Sequence, residues 1–414
     1  MLKLSLWRLI AAFFLALVVT ACGGGAGGSA PAPGGFTVTP GNGQAIITWT
    51  AIPGAQYWLM YAQTSAPIDI KNPPSNHAWA TNISSPYVIT GLTNGITYSF
   101  AMNARTDGGK GGEQTASVPT VPRAAGANWI AGTGLANSDW RGVAYGTASD
   151  ATVDYVAVGA GGTIYKGLEG VSQGINGMIW NPVTPVANIN FNAATYAFSK
   201  FIAVGDSGTN NIYTSADMAT WTAAATSITT KLNAIASNGT TIVAVGDLGT
   251  LFSSTDGNNW TTTAALTGTP NLFGVSYSAA GYWVVVGQNG FISTSTDLTT
   301  WTTRYATGPT LRSVTANSTN VFVAVGDSGA FVKSTDGVTW TPQTAFSTAN
   351  LNAVSTDSVQ FITIGQGGAI YTSLDASSWI AATSTAKSDL TAVVGTASKY
   401  VVVGTAGANI SSIN

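Results

Sequence analysis

The side chains able to do chemistry in this 414-residue chain are few and scattered. There is one histidine, His77, and one cysteine, Cys22. His77 lies among Pro73, Pro74, Asn76 and Trp79, with no second His and no Cys near it. Neither a metal site nor a Ser-His-Asp relay is expected of it; its expected place is an exposed loop. Carboxylates are the remaining candidates. Asp206, Asp247 and Asp327 each follow a glycine in a Gly-Asp-x-Gly phrase. Two carboxylates facing each other across a bond would serve glycoside hydrolysis, but a turn aspartate more often makes local hydrogen bonds. A second set, Asp217, Asp256, Asp297, Asp336 and Asp375, stands two residues after a Ser and four before a Trp. Between residues 127 and 414 there is one glutamate, Glu169, and three arginines, Arg141, Arg304 and Arg312. No cofactor and no metal are expected.

The elements that must position these residues follow from a repeat. Seven times an apolar strand ends in Gly, two turn residues follow, then a second Gly and another apolar strand. The first glycines are Gly159, Gly205, Gly246, Gly287, Gly326, Gly365 and Gly404, spaced 46, 41, 41, 39, 39 and 39 residues apart. A period near 40 with several short strands per unit predicts a seven-bladed β-propeller over 127–414. Each unit opens on a Leu-x-small-Val phrase, as in Leu232-Asn233-Ala234-Ile235 and Leu311-Arg312-Ser313-Val314. The second strand, Val-Ala-Val-Gly or similar, suits burial on both faces. Tyr155, Phe201, Ile242, Trp283, Phe322, Phe361 and Tyr400 stand four residues before the glycines and read as inter-blade core rather than an aromatic binding set. The last unit lacks its final strand, and Asn128-Trp129 has the pattern of one. It is expected to pair with Asn409–Ile413 and close the ring.

Residues 36–122 show short alternating strands, including Ala45–Trp49, Tyr57–Tyr61 and a long run over Leu92–Ala104. Trp49 suits the core of an immunoglobulin-like sandwich, and Leu92, Gly95 and Tyr98 suit a tyrosine corner. This segment resembles a fibronectin type III domain. The Gly-rich stretch Thr106–Glu113 reads as a hairpin loop. The whole chain is thus expected to be all-β: an immunoglobulin-like sandwich followed by the propeller.

Lys3 and Arg8 precede the apolar run Leu9–Val19, which is too short to span a bilayer and reads as a signal peptide over 1–21. It ends in Val19-Thr20-Ala21-Cys22, which resembles the bacterial lipobox. The resemblance implies lipidation of Cys22, and the absence of Asp after it implies the outer membrane. Residues 22–35, rich in Gly, Ala and Pro, form a flexible tether. Membrane attachment would be through the lipid alone. Without residues 1–21 the chain has 13 basic and 17 acidic residues. With no basic stripe, nucleic acid is not an expected partner.

The Ser-x-Asp-x-x-x-Trp phrase resembles the Asp-box, or BNR repeat, and that resemblance implies a folding role for the five aspartates. Asp-box propellers include sialidases, which need clustered arginines and a Tyr/Glu pair that three arginines and Glu169 do not supply. The repeat is also similar to photosystem II assembly factor propellers, whose Arg-rich ligand patch has no counterpart here. The expected function is a non-enzymatic binding or assembly platform for an envelope or extracellular protein or glycan. An Asp-box glycoside hydrolase and a purely structural spacer are the alternatives. The expected contact face holds Arg141, Phe273 and Arg312 near the channel mouth, with Asp206, Asp247, Gln288 and Asp327 in the neighbouring turns.

Overall fold

The computed structural model describes residues 30–41, 43–94, 96–106, 110–122, 126, 128–147, 153–169, 177–206, 210–224, 226, 228–263, 266, 268–357, 360–396 and 399–413. Cys22, the signal run and most of the tether lie outside them. The chain divides into two compact units, one holding Ala45–Val121 and the other Pro122–Asn414.

In the first unit, a three-stranded sheet and a four-stranded antiparallel sheet share one apolar core. Trp49, Leu59, Phe100 and Met102 are buried there. Alternation explains why: along Gln44–Thr48 the odd side chains face inward and the even ones outward. The long strand begins at Tyr98, not Leu92. Thr93 N–H donates to the Tyr98 hydroxyl (3.2 Å), the link expected of a tyrosine corner. His77 differs from expectation. It opens the strand His77–Thr81, is partly buried, and packs edge-on against Trp79 at 5.9 Å. The loop Thr106–Glu113 is only partly described.

The described residues of the second unit form seven four-stranded antiparallel sheets. Each first strand packs beside the first strand of the next sheet, and Leu390–Gly395 packs beside Trp140–Thr147. The sheets therefore make a closed ring. In the seventh, Asn128–Ala131 pairs with Asn409–Ile413, with Trp129 opposite Ser412. This is the pairing that the sequence pattern predicts. It removes an open edge where the first and last strands of the unit meet.

Second strands such as Ile242–Gly246 and Phe322–Gly326 are buried along their whole length. Each fully buried Val or Ile there contributes about 1.5–3 kcal/mol. The large residues four before the glycines, Tyr155 through Tyr400, are all in the core. The small third residue of each first strand is a packing demand. A Cβ on Gly274 would lie 3.0 Å from Ser313 Cα in the next sheet, and one on Gly142 would lie 2.9 Å from Ala193 Cα.

The five Ser-x-Asp turns repeat one set of bonds. Each Asp Oδ1 accepts the N–H groups two and three residues on, at 2.7–2.9 Å, and the preceding Ser hydroxyl at 3.0–3.1 Å. These donors stabilise the charged form and hold all five carboxyls below the ordinary range, Asp336 at about 2. The Trp Nε1–H donates back to the turn in four copies. Trp379 instead stacks on Phe346 at 4.7 Å. These turns lie at the opposite end of the third strands from the glycine turns.

Candidate functional site

The second residue of each first strand is the key to the site. In all seven sheets the strand register skips it: Arg141, Asn192, Asn233, Phe273, Arg312, Asn352 and Thr391. Each is therefore the extra residue of a β-bulge, which frees it from the ladder and re-aims its side chain. All seven line one central cavity of about 600 Å³. The small third residues and the apolar fourth-position residues, Val or Ile in six sheets and Ala194 in the second, form the rest of its wall, with Lys231, Asp389 and Thr405 beside them.

Sequence reasoning places Arg141, Phe273 and Arg312 here, and the structure brings them to this cavity. It misses Asn192, Asn233, Asn352 and Thr391. The available signal was Asn, a residue depleted in strands, recurring right after the first apolar residue. These side chains tie neighbouring sheets together. Asn192 Nδ2 donates to Leu232 O (2.9 Å), Asn233 Nδ2 to Leu272 O (2.9 Å) and Asn352 Nδ2 to Leu390 O (2.8 Å). The Thr391 hydroxyl donates to Trp140 O (2.5 Å), linking the last sheet to the first.

The turn residues stand apart from the second-position residues. Asp206, Asp247 and Asp327, like Gln288, are not part of the cavity wall. The aspartates stand behind it and hold residues that are. Asp206 accepts from Asn192 (3.0 Å) and Asn190 (2.9 Å), with Lys231 at 3.9 Å. Asp247 accepts from Asn233 (2.8 Å), and Asp327 from Arg312 Nε. Gln288 is exposed in its turn. For Asp206, burial raises the carboxyl pKa, but hydrogen bonds from Asn192 and Asn190 and the nearby Lys231 and Arg141 outweigh it, leaving a net lowering. A proton-donating carboxyl needs the opposite shift. Among the described residues no three His, Cys, Asp or Glu side chains converge as metal ligands.

Two positions break the pattern. Phe273 has no donor, so no second-position side chain ties its sheet to Leu311. Arg312 turns to Asp327 in its own sheet. Its Nη groups have no protein partner among the described residues. Arg141 Nη1 donates to Asn192 Oδ1 (3.1 Å). With the Asn192, Asn233 and Thr391 donors spent on protein partners, what this wall offers is two guanidinium groups and one aromatic face around an open cavity.

A ring of four-stranded sheets about a lined channel defines the second unit as a β-propeller. No protein-family model and no curated protein matches the sequence. Among solved structures, the chain is similar to YCF48 bound to a D1 peptide, at TM-score 0.55 and 14% identity over 69% of this chain and 94% of that one. It is similar to YCF48 from Cyanidioschyzon merolae at TM-score 0.54 and 14% identity, over 70% and 99%. It is also similar to virginiamycin B lyase from Staphylococcus aureus at TM-score 0.57 and 10% identity, over 69% and 98%. At such identities the likeness is one of fold, and propellers carry unrelated activities.

Proposed function

We propose that this chain is a lipid-anchored envelope protein whose seven-bladed propeller is a non-enzymatic platform, binding a polypeptide of another envelope or extracellular protein at the central channel. The observation that carries this reading is the set of seven bulges. They aim one side chain per sheet at a single cavity, and the two that depart from the inter-sheet bonding pattern are an aromatic residue and an arginine. Residues that break a local rule without a packing gain are the expected place for function. Arg and aromatic side chains near the centre of a patch are also common hot-spot types. Peptide binding by YCF48 supports the choice of polypeptide over glycan. In this reading Asp206, Asp247 and Asp327 orient the contact residues. The Ser-x-Asp turns are Asp-boxes with a folding role. The first unit is a fibronectin type III-like spacer of the immunoglobulin-like class.

Replacing Arg312 and Phe273 together by Ala is expected to weaken capture of the partner from solubilised outer membranes about tenfold or more. Melting should change little, since both side chains are partly exposed. An unchanged capture profile would overturn this choice of face. Glycosidase turnover that vanishes on replacing Asp206, Asp247 or Asp327 would overturn the non-enzymatic reading.

The anchor has its own test. Cys22 ends the signal run and is the chain's one cysteine. Stable anchoring takes more than one acyl chain. Metabolic palmitate labelling is expected in the wild type and absent in Cys22→Ser. An unlabelled wild-type protein, free in the periplasm, would refute lipid attachment.

A further inference from the structure

We propose that the seam between the fourth and fifth sheets of the propeller holds an anchor pocket for one apolar side chain of the bound polypeptide. This rests on the channel reading and adds a specificity element to it. A cavity of about 240 Å³ opens at this seam, between Leu272–Ala306 and Leu311–Pro342. Its floor is Leu311, Phe331 and Val332, all buried, and Tyr305, Pro309 and Pro342 form its walls. Whole small ligands occupy roughly 300–1,000 Å³, so this volume suits a single side chain.

The pocket exists because a filler present at other seams of the ring is missing. After the outer strand of other sheets, the chain drops an apolar residue against the next sheet. Ile228 packs with Phe252 and Trp260, and Leu266 with Phe291 and Trp301. Phe346 packs against Tyr371 and Trp379 at 5.0 and 4.7 Å. The connection into the fifth sheet is Thr307-Gly308-Pro309-Thr310. It is shorter, with Leu311 following Trp301 by 10 positions, against 11 from Trp221 to Leu232 and 12 from Trp260 to Leu272. It carries no equivalent residue. The head of the third strand adds no filler either: Ala330 stands there as Ala369 and Ala408 do in the last two sheets, whereas the fourth sheet carries the buried Phe291. An apolar floor left open in this way gains by covering, at about 25 cal/mol per Å².

The occupant follows from what adjoins the pocket. Leu311 in the floor is the neighbour in sequence of Arg312 in the channel wall. Ser328 at the rim adjoins Asp327, which holds Arg312. The seam pocket therefore sits one residue from the place where the inter-sheet bonding pattern breaks. The third strand, which carries Phe331 and Val332, lies two strand spacings, about 10 Å, out from the first, and an extended segment leaving the channel past Arg312 advances about 3.3 Å per residue, so a side chain about three residues on reaches the pocket. A polypeptide supplies an apolar side chain at that step, which a glycan does not.

The probes are N-acetyl-leucinamide and N-acetyl-phenylalaninamide, with N-acetyl-glycinamide as control, followed by methyl NMR at Leu311 and Val332 of the full chain. Saturable shifts are expected with the first two and none with the third. They should vanish in Ala330→Phe, which copies the filler Phe291 of the preceding sheet. If that variant does not fold, Ala345→Phe at the exposed rim closes the same mouth. The filled variant should also lose about tenfold or more in capture of the membrane partner. Absence of saturable shifts in the wild type, or their survival in the filled variants, overturns the pocket. Full partner capture by the filled variants overturns its use while leaving the channel reading standing. Unchanged capture in the Arg312/Phe273 variant sinks the channel reading, and the amide titration still decides the pocket.

Discussion

Replacing Trp129 by Ala is expected to destabilise the propeller by about 3–5 kcal/mol, with a fall in melting temperature on the order of 10 °C. Trp129 is the central side chain of the strand that completes the seventh sheet. It is buried with Ile362, Ile370, Leu390 and Tyr400, and its Nε1–H donates to Gly126 O (2.8 Å). Its removal costs the transfer of a large side chain and leaves a cavity where the first and last strands of the unit meet. The control is Ile380→Ala in the outer strand of the sixth sheet, where the side chain is 70% exposed. That change should stay within about 0.5 kcal/mol. The measurement is denaturant unfolding of the full chain. Equal stabilities for wild type and Trp129→Ala would show that burial of this side chain does not hold the ring closed.

Gly326→Ala is expected to cost about 3 kcal/mol or more, by overpacking against rigid backbone. The reason is not dihedral freedom, since Gly326 is extended at φ −170°. A Cβ there would lie 1.9 Å from Thr310 O and 2.8 Å from Leu311 Cα. Neither atom can move without breaking the sheet. Gly367 makes the contrast. It sits at φ +67° in the turn of the sixth sheet, and a Cβ would meet nothing within 4 Å. The same turn position holds Leu248, Asn289, Ser328 and Ala406, at φ +57°, +58°, +54° and +52°. Gly367→Ala should therefore cost only about 1 kcal/mol. Unfolding free energies in the reverse order would refute close approach as the reason for the repeated glycine.

Much of this organisation is legible in particular residues. The glycine pairs mark the second and third strands, because in the six pairs described in full a close backbone approach is combined with a left-handed turn. The Ser-x-Asp-x-x-x-Trp phrase marks the outer turn, because its bonds fall at offsets of two and three residues. The pattern around Trp129 points to its strand partner although the two lie nearly the whole unit apart in sequence. The site was less legible. Arg141, Phe273 and Arg312 stand out by residue type, whereas Asn192, Asn233, Asn352 and Thr391 look like ordinary polar positions of a strand. The turn aspartates are expected to make local hydrogen bonds, and only the structure shows that their donors are the cavity residues Asn192, Asn233 and Arg312.

The sequence by itself determined the sheet repeat, the strand order and the turns. Those depend on hydrogen bonds and backbone contacts within about 40 residues, which impose a residue type at a fixed offset. Only the tertiary structure decided the functional surface. A bulge leaves no mark on composition, yet it turns the second residue of every first strand toward one axis. Closing the ring then gathers seven side chains that are each some 40 residues from the next, and joins Thr391 to Trp140 across the unit. The seam pocket arises in the same way. A slightly shorter connection without a bulky side chain like Ile228, Leu266 or Phe346 is unremarkable in sequence, and it becomes a cavity only when two sheets are packed side by side.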